Sequence, residues 1–314
     1  MKIARFIRKI PAGTLLIPMF ISSLFYTFAP TLFNIGGTTQ AIFTGESLNF
    51  IIGVACFCSG LLLDFKTLLQ VLKKQGSLIL LKLTIASLVG HLYINFIGLN
   101  GVFGISALAL VITLFACNPA IYLSLAETYG NKQDVAAYGL TGLLSLPVFP
   151  MIFLGLQSNQ TTFNYMPLIS TLIPILVGMV LGNLDQEIRN FFSPLLGRIL
   201  PFMGWALGAS INLIDAFKSG LSGIILVLLF YGLLIPPLYL FERKVLKTDG
   251  VSTIALSAMP GLAIGFPRML ADVFPGLEPF AASAAANIAF AVVITSILTP
   301  ILAKIVYQRN QTKM

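Results

Sequence analysis

Apolar runs of about 20 residues fall near 12–29, 44–63, 76–98, 104–129, 134–156, 164–184, 190–213, 219–241, 251–275 and 280–306. Each is long enough to cross a bilayer as a helix, at about 1.5 Å of rise per residue across a core of about 30 Å. Short polar joins separate them. The pattern predicts an all-α membrane protein of about ten transmembrane helices, with no soluble domain and no place for an ATPase module.

Two of the runs are interrupted. In ALVITLFACNPAIYLSLAETYG, Ala109 to Gly130, Asn118 and Pro119 stand in the middle. Proline lacks a backbone N–H and clashes with the carbonyl four residues back, so the helix must break there. The run Gly250 to Pro275 is interrupted in the same way by Pro260 and Gly261, with Pro267 further on. A break at membrane depth is tolerated only where protein or a water-filled cavity satisfies the freed backbone groups. Paired interrupted segments in matching halves point to a transporter's binding site, where helix-end carbonyls hold cations and helix-start amides hold anions.

The halves resemble each other weakly. TLLIPMFISSLF around Pro18 matches TLIPILVGMVLG around Pro174, CSGLLLDFKTLL with Gly60 and Asp64 matches ALGASINLIDAF with Gly208 and Asn212, and ACNPAIY matches SAMPGLA. The expected organisation is a first repeat over 1–158 and a second over 159–314, five helices each. An odd number of helices per repeat makes the second half enter the membrane inverted, with the fourth and ninth helices broken.

Composition agrees with a membrane protein: 57% of residues are hydrophobic and 10% charged, against about 25% charged in soluble domains. The net charge of +8 reads as a topology signal rather than a nucleic-acid footprint. Lys2, Arg5, Arg8 and Lys9 precede the first run; Lys66, Lys73 and Lys74 precede the third; Lys132 follows the fourth; Arg189 follows the sixth; Arg243, Lys244 and Lys247 follow the eighth; Lys304, Arg309 and Lys313 close the chain. The intervening joins are nearly free of Lys and Arg, with Lys218 and Arg268 as exceptions. The positive-inside rule then puts both termini in the cytoplasm of a cell inner membrane. The basic start and first apolar run resemble a signal peptide, but no small-x-small cleavage site closes the run, so it is read as a retained first helix. Cys56, Cys58 and Cys117 lie within apolar runs and form no disulfide or zinc pattern. No nucleotide, hydrolase or metalloprotease motif occurs, and neither a cofactor nor a metal is expected.

The residues left to carry chemistry are few. Lys82 and His91 lie within the third run, nine residues apart and on opposite helix faces; both are candidates for ion coupling, as intramembrane ionisable groups are by default. Glu127, Asp272 and Asp64 fall at helix ends, where solvation is expected. Asn118 and Tyr122, spaced i, i+4, lie beside the first break, and Ser257 beside the second. Thr141 with Ser145, and Ser283 with Asn287, have the same spacing on the fifth and tenth runs. Such a set suits a neutral or anionic hydroxylated solute bound by many hydrogen bonds, and not a large lipid.

The chain resembles the bacterial 2-keto-3-deoxygluconate permeases along nearly its whole length. The carrying motifs are GNLDQEIRNFFS at Gly182 to Ser193, KIPAG near the start, KKQG with Lys82 downstream, NPAIY, the Ser145 and Pro147 pair, IALSAMPGLAIGFP and SILTPIL. The resemblance implies proton-coupled uptake of 2-keto-3-deoxygluconate, on a fold akin to the bile-acid–sodium symporters in which two broken helices cross at the substrate site. Asn118, Pro119, Tyr122, Ser145, Ser257 and Gly261 are then the expected substrate contacts, with the carboxylate against amides near 119–121 or 261–263. Lys82, His91 and Asn212 are the expected ion-coupling residues. The sequence departs from the implied pattern at Phe115, Leu144 and Asn212, where carboxylates are expected. Those departures favour the alternative of a sodium-coupled organic-anion symporter on the same fold.

Overall fold

The computed structural model describes residue 7 and residues 13–63, 65–157, 166–209 and 211–311. The basic residues Lys2, Arg5, Arg8, Lys9 and Lys313, and the helix-end Asp64, lie outside them. Among the described residues the chain is helical throughout, with one isolated bridge between Val102 and Ile105 and no strand.

In chain order, α1 spans Gly13–Phe28, α2 Gly37–Phe43 and α3 Leu48–Leu61. Then come α4, Phe65–Val71, and α5, Ser77–Phe96, followed by α6, Ala107–Phe115, and α7, Pro119–Tyr129. Three short pieces follow: α8 at Lys132–Ala136, α9 at Tyr138–Gly142 and α10 at Val148–Gln157. Next are α11, Met166–Leu184; α12, Gln186–Phe192; α13, Leu195–Arg198; and α14, Leu200–Gly208. The chain closes with α15, Leu213–Lys218; α16, Gly220–Lys244; α17, Val251–Ala255; α18, Phe266–Val273; and α19, Glu278–Gln311.

Four helical stretches are long and apolar enough to cross a membrane: Leu68–Phe96, Ala107–Tyr129, Gly220–Lys244 and Pro275–Asn310; bent pairs raise the number to six. One of the expected straight segments turns out bent, and another meets an additional helix at its start. The second run is preceded by α2, which meets the following helix at 72°, and the fifth bends by 45° between Ser145 and Val148. Pro147 explains the latter, since it cannot donate to the preceding turn. The seventh run is likewise divided, into α13 and α14. KKQG, expected as part of a join, instead forms a π-helical turn, Leu72–Gly76, that fuses α4 to α5.

The layers follow burial. The stretch Ala107–Tyr129 is inside the molecule over its whole apolar window, with α17 packed on α7 and α19 on α6. The outer helices turn apolar side chains outward: Leu80, Leu88, Leu176, Leu221 and Leu228 are all exposed. That inversion is expected where the surrounding solvent is lipid.

Two helix pairs flank this core, α1 against α14 and α3 against α11. Glycine brings each pair to backbone contact. A methyl group on Gly60 would stand 2.1 Å from the Ile175 carbonyl oxygen, and one on Gly208 would stand 2.0 Å from that of Met19. Small residues allow such close approach between membrane helices, where dispersion replaces the hydrophobic effect as the driving force.

The basic joins gather at one end. Lys74 pairs with Asp134 at 2.8 Å, the Tyr129 ring packs at a tilt against Tyr307, and Asn310 Nδ2 donates to the Asp249 carbonyl. At the other end Asn287 accepts from Ser222 and donates to the Gly104 carbonyl, and His91 meets Gln157. Arg268, an exception to the charge pattern, pairs with Glu278 and Asp272.

Candidate functional site at the meeting of two broken helices

The first break has a local cause. Ser106 caps α6, accepting from the Ala109 N–H, and α6 ends at Ala116 in extended backbone. Asn118 is held extended by the proline that follows it. Its Oδ1 accepts from the Ala120 and Ile121 N–H groups at 3.1 Å each, making it the N-cap of α7 with Pro119 in the first turn. This placement is the favoured one for both residue types. The second break runs from Leu256 to Pro260, after which Gly261–Gly265 form a 3-10 turn leading into α18.

The two breaks meet. The Asn118 N–H donates to the Ala258 carbonyl at 2.8 Å, and Asn118 Nδ2 donates to the Met259 carbonyl at 3.1 Å. Other helices complete the pairing. Cys117 N–H donates to the Leu144 carbonyl, Met259 N–H donates to Thr295 Oγ1, and Thr299 Oγ1 donates to the Ser257 carbonyl. The freed backbone at both interruptions is thus paired with protein, as a lipid environment demands.

Lys82 sits between them. Its side chain is fully buried, and Nζ donates to the Ala116 carbonyl at 2.5 Å and the Leu256 carbonyl at 2.8 Å. The face of Phe230 lies 5.5 Å from the same nitrogen. Ala116 and Leu256 are the C-cap residues of the half-helices that enter the breaks, where carbonyls lack intrahelical partners.

The other expected site residues divide. Pro119, Ser145, Ser257 and Gly261 are all buried in or beside the breaks. Ser145 Oγ donates to the Gly142 carbonyl and Ser257 Oγ to that of Thr253. The Ala120 and Ile121 amides, expected to face a carboxylate, are taken up by Asn118 in this conformation. Tyr122 is also buried, but it does not join Asn118: its hydroxyl accepts from Gln75 Nε2 at 2.9 Å. His91 is exposed beside Asn95, away from Lys82 as the helix spacing predicts. Asn212 is half-buried in the link between α14 and α15. Phe115 and Leu144 are buried.

A second buried polar cluster was not foreseen. Gln75 Nε2 reaches Asp134 Oδ1 at 2.7 Å as well as Tyr122 and Ser252. Asp134 also accepts from Lys74 and caps its own helix start together with Asn131. Nearby in sequence to Ser252, the buried Glu242 accepts from the Thr253 and Gly250 N–H groups and from the Thr248 hydroxyl. The Asn131-to-Asp134 spacing was a readable capping signal. Gln75 and Glu242 carried no local signal, being polar residues near helix ends. Thr295 and Thr299, at i, i+4, were readable as one helix face.

A cavity whose walls are chiefly apolar, lined by Ile42, Phe50, Ile199 and Phe202 with Glu46 and Arg198 among them, shares no residue with this crossing. The buried polar chemistry lies at the breaks and in the cluster around Gln75 and Asp134.

Comparison with known proteins identifies the family. The family model of the 2-keto-3-deoxygluconate permeases matches residues 4–312. Proteins named 2-keto-3-deoxygluconate permease from Escherichia coli O157:H7 and from Escherichia coli K12 are each 35% identical over 314 aligned residues, covering 97% of this chain and 94% of theirs. Permeases are transporters, not enzymes. From the match over almost its full length, the chain belongs to the 2-keto-3-deoxygluconate permease family.

Proposed function

We propose that this protein is a secondary active importer that takes up 2-keto-3-deoxygluconate, or a closely related sugar acid, together with protons. The observation that carries the reading is the direct hydrogen bonding of two interrupted helices around a buried ammonium, in a member of this family. Broken helices meeting at mid-chain provide the carbonyl and amide groups that transporters use for ions and anionic substrates.

The proposed architecture is ten spans in two inverted repeats, 1–158 and 159–314. Superposing the motif pairs aligns Pro18 with Pro174 and Gly60 with Gly208. Met19 and Ile175 then become equivalent, and the Gly60–Ile175 contact maps onto the Gly208–Met19 contact. Reciprocal pairing of this kind supports a pseudo-twofold. The clustering of basic joins at one end supports cytoplasmic termini and an inner-membrane location.

In this scheme Asn118, Tyr122, Ser145 and Ser257 bind hydroxyls and the ketone once the crossing opens, and backbone near Pro119 and Gly261 receives the carboxylate. Lys82, His91 and Asn212 belong to ion coupling. Sodium coupling is the second reading. It is favoured by the apolar Phe115 and Leu144, which cannot hold a proton.

The test is uptake of labelled 2-keto-3-deoxygluconate into proteoliposomes under an imposed inward proton or sodium gradient. Accumulation with protons alone supports the proposal. Accumulation with sodium alone replaces it with the second reading, and no accumulation under either removes the substrate.

A further inference from the structure

A buried ammonium is ordinarily matched by a buried carboxylate, because an unpaired charge in the interior is expensive. Lys82 is not matched in that way. Among the described residues no carboxylate oxygen lies within 4.0 Å of it. Its partners are instead two backbone carbonyls from two different broken helices, Ala116 and Leu256, with the Phe230 ring face on a third side. Converging carbonyls and an aromatic face are how a protein holds a small monovalent cation without neutralising it. The carbonyls need such a partner, since each ends a half-helix and has no intrahelical donor.

We infer that the crossing is a monovalent-cation site whose resident cation is the Lys82 ammonium, tethered to α5, so that the native chain takes no free sodium there. The inference deepens the transport reading by naming what fills the ion position, but its physical content does not require any particular substrate. Removing the tether opens the position to a free cation.

The test compares full-length wild type, Lys82→Ala and Lys82→Met, purified in detergent, by thermal unfolding at fixed ionic strength in choline, sodium or n-propylammonium chloride. Lys82→Ala deletes three methylenes and the ammonium, which is the outline of n-propylammonium. Wild type is expected to melt at one temperature in all three salts. Lys82→Ala is expected to melt lower in choline and to regain about 5 °C or more with n-propylammonium, as a ligand bound only to the folded state requires, while neutral n-propanol has no effect. Lys82→Met fills the volume without the charge; it is expected to melt below wild type and to respond to none of the salts. An unchanged melting temperature for Lys82→Met overturns the inference, as does a wild type stabilised by sodium or a Lys82→Ala indifferent to every cation. Should Lys82→Ala not fold, the other two proteins decide. Melting needs no substrate, so failed sugar-acid uptake would leave this result standing, and the reverse also holds.

Discussion

Asn118 is a clasp. Its side-chain oxygen caps α7 and its side-chain nitrogen and backbone N–H reach across to the second break. Replacing it with alanine leaves two N–H groups and the Met259 carbonyl without partners in a dry interior. Asn118→Ala should therefore cost about 1–3 kcal/mol in unfolding free energy, and it should lower uptake more than it lowers folded yield. Ser257→Ala removes only a hydroxyl donating to the half-helix before it, so its stability should change by less, about 1 kcal/mol, while substrate affinity weakens. Wild-type affinity in both variants would sink the substrate assignment. At this scale the sequence spoke clearly where a residue clashed with its neighbourhood. Lys82 was a charge inside an apolar run, and Asn118 preceded a proline where no loop was due. Gln75 was silent, and Thr295 and Thr299 showed only a shared helix face, because what gives them a role is partners 36 to 177 residues away, and local spacing holds no trace of those.

Among the elements, periodicity located the helices and proline located the two central breaks, but bends set by packing were missed. The 72° angle before α3 and the π turn at KKQG fall where no proline stands. The flanking pairs make a testable claim about elements. Gly60→Ala or Gly208→Ala drives a methyl group into a backbone carbonyl that cannot swing aside. Each should cost about 3 kcal/mol through forced separation of its helix pair. Gly142→Ala, which meets nothing within 4 Å, should stay within about 0.5 kcal/mol of wild type. Equal unfolding of all three variants would refute close backbone packing as the basis of the pairs.

For the whole molecule, orientation is the property most directly tied to charge along the chain. The three native cysteines are buried, so an introduced exposed cysteine reports alone. Thr38→Cys should react with a membrane-impermeant maleimide on intact cells, and Lys247→Cys only after the membrane is opened; both native residues are exposed. The opposite pattern would invert the topology and with it the direction assigned to each broken helix.

The meeting of the breaks also constrains how the protein is made. Asn118 bonds to a residue 141 positions later, and Lys82 waits on Leu256. At about 5–20 residues per second, a nascent chain carries its fourth segment for on the order of ten seconds before its partner exists. Over that interval an ammonium and an interrupted helix stand in the bilayer half-satisfied. A chain stopped before Gly250 should therefore be recognised as unfinished and degraded, even with most of its spans complete, whereas one stopped after Gln311 should persist. Pulse-chase turnover of the two products measures that difference, and finding it would make the crossing a checkpoint on synthesis as well as the proposed place for cargo.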